Sequence, residues 1–112
     1  MATEPGYASD FTPSELMVCA AARELCDGEV VFVGIGLPGT ACNLARLTHA
    51  PRLVLIYESG TIGARPAVLP LSIGDGELAA TATCVVPLPD IFRASLQAGR
   101  VYVGFLGAAQ ID

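Results

Sequence analysis

The chain has 112 residues and a formal net charge of −5; 53% of it is hydrophobic and only 15% charged, with a mean hydropathy of +0.57. One small domain is the expected size, and the acidic balance argues against a nucleic-acid or anionic-membrane surface. No run approaches the ~20 apolar residues of a membrane span, and the acidic N-terminus lacks a basic and apolar signal segment, so a cytoplasmic protein is expected.

Residues 1–10 read as a flexible leader, and residues 11–112 as one domain. Thr12-Pro13-Ser14-Glu15 is a capping box with proline at the first helical position. It opens a helix through about Leu25, with Leu16, Cys19, Ala20 and Leu25 expected to face the core. Asp27-Gly28 ends it. Val30-Val31-Phe32-Val33 is a fully apolar strand of the kind parallel sheets bury on both faces. Gly34-Ile35-Gly36-Leu37-Pro38-Gly39 follows, then a short helix over about residues 40–47.

A second apolar strand, Leu53-Val54-Leu55-Ile56-Tyr57, delivers Glu58 at its carboxyl end. Residues 61–76 hold two prolines and three glycines and read as a long loop, where function often sits. A third strand is expected over residues 82–86, a helix from Pro89-Asp90 to about Gly99, and a fourth strand over residues 101–106. This order of elements predicts a three-layer α/β fold with a mainly parallel open sheet. No helix follows the last strand, and so apolar a chain of this size needs a partner or further sequence to cover it. The sequence therefore reads as the N-terminal part of something longer.

The four cysteines form no CxxC pair, and no histidine stands at metal-ligand spacing, so no metal site is expected. Cys19, Cys26, Cys42 and Cys84 read as small buried hydrophobes with free thiols. His49, in a Thr-His-Ala-Pro turn, has no neighbour in sequence to orient it as an acid or base.

Two chemistries compete for Glu58. Gly34-x-Gly36-x-x-Gly39 lies between a strand and a helix, with an acid about 20 residues on. That is the spacing of a dinucleotide site, with Glu58 on the ribose hydroxyls, although Pro38 removes an N–H from the phosphate-facing turn. Alternatively, the small residues Ser59 and Gly60 let a bulky substrate approach a nucleophilic carboxylate, which can attack a thioester.

Five blocks decide between them: VVFVGIGLP (30–38), NLARLTHAP (43–51), LVLIYESGTIGARP (53–66), LPLSIGDGELA (69–79) and VGFLGAAQID (103–112). Together they resemble the β subunit of family I CoA-transferases, of the 3-oxoadipate and glutaconate type. The family nucleophile is a glutamate in a Ser-Glu-Asn-Gly or Tyr-Glu-Ser-Gly setting, and Glu58 takes that place. The resemblance makes the GxGxxG match coincidental, since Gly39 lies outside the family block.

The resemblance implies an open-sheet CoA-transferase fold of Rossmann-like type. It implies transfer of CoA from succinyl-CoA or another acyl-CoA to a 3-oxo or dicarboxylic acid through a glutamyl-CoA thioester, in the breakdown of aromatic compounds. Gly34, Gly36, Leu37 and Pro38 would line the substrate end of the sheet. Ser59, Gly60, Gly107 and Gln110 would bind substrate or CoA beside Glu58. The implied partner is an α subunit in a heterodimer or heterotetramer, with no permanent cofactor; a non-catalytic fragment that only pairs with an α subunit is the remaining alternative. Relatives would be about twice as long, with a downstream Gly-x-Gly-Gly oxyanion hole that this sequence lacks.

Overall fold

The computed structural model describes residues 10–67 and 76–111. Most of the expected leader and part of the expected long loop lie outside those residues. Helix α1 (Pro13–Arg23) opens as the capping box predicts: the Thr12 hydroxyl accepts from the Glu15 N–H at 3.1 Å, and proline stands in the first turn. Its buried stripe differs from expectation. Val18 and Ala22 face inward and Leu25 is buried just beyond the helix, whereas Leu16, Cys19 and Ala20 are exposed. α1 packs on a second helix rather than flat on the sheet, which takes up only a narrow stripe at i, i+4 and i+7.

Strand β1 (Val30–Val33) leads into helix α2 (Leu37–Leu47). α2 starts three residues earlier than its composition suggested, because Pro38 is pre-shaped for a first turn and its missing N–H costs nothing there. Strand β2 (Val54–Ile56) runs parallel to β1, with Phe32 opposite Ile56. The chain then reverses. Strand β3 (Thr61–Ile62) pairs antiparallel with β2, and helix α3 (Gly76–Thr81) precedes β4 (Cys84–Val85), antiparallel to β3. So the strand expected over 82–86 is present but shorter and not parallel, and the expected loop begins with a strand too short to show alternation.

Helix α4 (Leu88–Asp90) continues as a π-helical stretch over Ile91–Leu96. There the Gln97 N–H donates to Phe92 and the Arg100 N–H to Ser95, each five residues back. Strand β5 (Val103–Phe105) closes the order β4-β3-β2-β1-β5 and runs parallel to β1. The sheet thus has a parallel centre and an antiparallel edge.

Two apolar cores cover its faces. Val31, Val33, Leu55 and Tyr57 pack with Ala22, Cys42 and Ala45 on the side of α1 and α2. Phe32 and Ile56 pack with Ile91 and Phe92 on the other side, the two phenylalanine rings lying 6.1 Å apart. The result is the expected three layers.

Candidate functional site

Because β2, β1 and β5 are parallel neighbours, their carboxyl ends share one edge. Gly34 and Glu58 each stand two residues past the paired Phe32 and Ile56. Gly107 and Ile35 each stand two residues past the paired Phe105 and Val33. The topology therefore gathers Gly34, Gly36, Glu58, Ser59, Gly60 and Gly107 at one rim, where open α/β sheets take ligands.

Glu58 and Ser59 are the central residues of a tight turn joining β2 to β3. The Gly60 N–H donates to the Tyr57 carbonyl at 3.0 Å, and the Tyr57 N–H to the Thr61 carbonyl at 3.0 Å. Gly60 has φ +111°, and the Val86 backbone occupies the space a Cβ would need. Glu58 is exposed, while Tyr57 and Gly60 are buried. Ser59 Oγ, Tyr57 Oη and Thr61 Oγ1 are buried without a hydrogen-bond partner. Burial pushes the Tyr57 phenol up to about 12. Main-chain bonds on both sides thus fix the turn, and only its acidic side chain reaches outward.

The neighbouring rim is as closely fitted. The Gly34 N–H donates to the Phe105 carbonyl at 2.8 Å, and a Cβ on Gly34 would lie 3.2 Å from that oxygen. Gly36, at φ +92°, caps α2. Leu37 is exposed and Pro38 buried in the first turn, and both line an apolar cavity of about 370 Å³ with Gly107 and Phe105. Glu58 is not among the residues lining that cavity. Gln110 is exposed, five residues past β5.

The dinucleotide reading finds no support in this loop. Gly39 is buried inside α2 rather than in a cradle, and Pro38 has no N–H to offer an anion. Among the described residues no three His, Cys, Asp or Glu side chains gather into a metal-binding group, and no helix is long and apolar enough to cross a membrane. His49 does have an orienting contact: its Nε2 lies 2.8 Å from the Leu25 carbonyl, fastening the turn before β2 to the end of α1. Only Cys42 of the four cysteines is buried; Cys19, Cys26 and Cys84 are exposed, which corrects the expectation for those three. Nothing in the sequence signalled Val86 as the clamp on the glutamate turn, since the contact joins residues 26 apart.

A model of the coenzyme A transferase family matches residues 15–112. The chain is 66% identical over 104 residues to the β subunit of 3-oxoadipate CoA-transferase from Pseudomonas knackmussii, a match covering 93% of this chain and 40% of that protein. It is 32% identical over 109 residues to the β subunit of glutaconate CoA-transferase from Acidaminococcus fermentans, covering 93% and 41%. The crystal structure of glutaconate coenzyme A-transferase from the same organism superposes with a TM-score of 0.81 at 31% identity, over 91% of this chain and 41% of that one. The decarboxylase AibA/AibB superposes with a TM-score of 0.77 at 34% identity, over 91% and 43%. The chain thus spans about two fifths of the length of the relatives it matches, and its mixed sheet with helices is the fold of the glutaconate enzyme.

Proposed function

Because the chain belongs to the coenzyme A transferase family, we propose that it forms part of a β subunit that moves CoA between carboxylic acids, with Glu58 as the nucleophile. The observation that carries this reading is the exposed carboxylate on a turn locked by main-chain bonds, at the carboxyl edge of the parallel strands. The likeness to a decarboxylase means that the fold alone does not choose the reaction. The 66% identity to a transferase subunit favours transfer.

Glu58 attacks the thioester carbonyl of the acyl-CoA, and the CoA thiolate leaves. The thiolate then attacks the glutamyl carbonyl of the mixed anhydride. A glutamyl-CoA thioester forms and the donor acid departs as its carboxylate. The acceptor carboxylate takes CoA by the same steps in reverse, so the kinetics are ping-pong. The donor would be succinyl-CoA or a similar acyl-CoA, and the acceptor a 3-oxo or dicarboxylic acid such as 3-oxoadipate. An α subunit completes the site and covers apolar surface such as Leu16, Met17 and Leu106. The setting would be the cytoplasm.

The test is the intact mass of this chain in the natural complex after addition of succinyl-CoA. A gain of one CoA less one water, lost in Glu58→Ala, is the expected result. An adduct that persists in Glu58→Ala would remove Glu58 from the role.

A further inference from the structure

A separate cleft of about 640 Å³ opens between α2 and the segment after β3. Arg46, from the last turn of α2, and Arg65, three residues past β3, both line it. β3 leads away from the Glu58 turn, and Arg65 Nη2 donates to the Pro51 carbonyl at 3.0 Å, just before β2. The arginine end of the cleft therefore lies toward the amino-terminal end of β2, away from Glu58, while Thr40 in the first turn of α2 lines its other end.

Each guanidinium is anchored through one nitrogen and keeps donors to spare. Arg46 Nη2 donates to the Pro66 carbonyl at 3.0 Å and to Asn43 Oδ1 at 3.1 Å, while its Nε is buried without a partner. Anchoring Asn43 through its oxygen leaves the amide NH2 as a further donor at the same cleft. Among the described residues neither arginine pairs with a carboxylate; Asp27 pairs with Arg52 instead. The nearby Glu77 carboxylate accepts from the Ala67 N–H at 3.2 Å. Burial, and then the charge of Arg65, hold Arg46 below the usual guanidinium range. Two cations sharing one wall repel each other, and an anion held between them relieves that repulsion.

We propose that Arg46 and Arg65 form a phosphate-binding site distinct from the Glu58 rim. A single carboxylate satisfies the fork of one guanidinium, whereas a tetrahedral dianion offers oxygens to two guanidiniums approaching from different elements. The phosphate is either free or the phosphate end of a nucleotide such as coenzyme A. The site stands whether or not Glu58 is a nucleophile.

Calorimetric titration of the natural complex with inorganic phosphate, and separately with coenzyme A, tests this. Arg46→Gln and Arg65→Gln are each expected to weaken binding about tenfold or more. Arg46 also holds the Pro66 carbonyl, so the exposed Arg65 is the cleaner variant, with circular dichroism as the check on folding. Phosphate binding lost in both variants assigns the site to free phosphate. Tighter CoA binding lost in both assigns it to the nucleotide. Wild-type protein that binds no phosphate and whose CoA affinity neither substitution moves, or variants that bind both ligands as the wild type does, would overturn the proposal. The Glu58→Ala complex should still bind phosphate, which separates failure here from failure of the transferase reading.

Discussion

Gly60 and Val86 interlock: the Val86 N–H donates to the Gly60 carbonyl at 2.9 Å, and the Val86 carbonyl fills the space where a Gly60 side chain would begin. A methyl group at Gly60 would meet both that carbonyl and the cost of φ +111°. Gly60→Ala is expected to destabilise the protein by about 3 kcal/mol or more. Urea unfolding of the complex measures this, and a loss within 0.5 kcal/mol, roughly that of an ordinary surface change, would show that the turn is not clamped.

Glu58 should behave in the opposite way. Its side chain is exposed on a turn held by main-chain bonds. Glu58→Gln is expected to leave stability within about 0.5 kcal/mol while abolishing the proposed CoA transfer. Thermal unfolding and turnover, measured on one preparation, report the two effects separately.

Two buried acids set an alkaline limit. Burial pushes the Cys42 thiol from 9.0 up to about 12, and the Tyr57 phenol from 10.0 up to about 12. Between those values the folded chain keeps protons that the unfolded chain releases, so stability falls as pH rises through that window. The denaturant midpoint should decline from about pH 9 to pH 12. Tyr57→Phe, which also removes an unpartnered hydroxyl, should soften the decline above pH 10. An unchanged profile in that variant would show that Tyr57 titrates normally.

Cysteine labelling offers a simple check on packing. Cys19, Cys26 and Cys84 are exposed and Cys42 is buried. At mild alkaline pH a thiol reagent should modify the first three, wherever a partner subunit does not cover them, and reach Cys42 only after denaturation. Rapid modification of native Cys42 would show that the core beside α2 is open.

The parallel centre was legible because β1 and β5 are short, wholly apolar runs, and because Thr12 and Pro13 mark a helix start without any tertiary help. The position of Glu58 just past β2 was legible for the same reason, since a charge ending an apolar strand stands out. The antiparallel edge was not. Thr61–Ile62 and Cys84–Val85 are two residues each, too few for a period, and they are ordered by pairing with each other at separations of 22 and 24 residues. The buried stripe of α1 was misread because helix-on-helix packing chose Val18 and Ala22 over the larger Leu16. The Arg46–Arg65 cleft left no local pattern, since its two cations come from separate elements.

The hairpin reversal after Ile56 has a bearing on how this scaffold can change its chemistry. Backbone pairing places the main chain of Glu58 without help from particular neighbouring side chains. Residues around the rim can then be exchanged while the turn that carries Glu58 stays where it was. The make-up of the rim and the placement of the acid-bearing turn become separable, and altering one need not disturb the other.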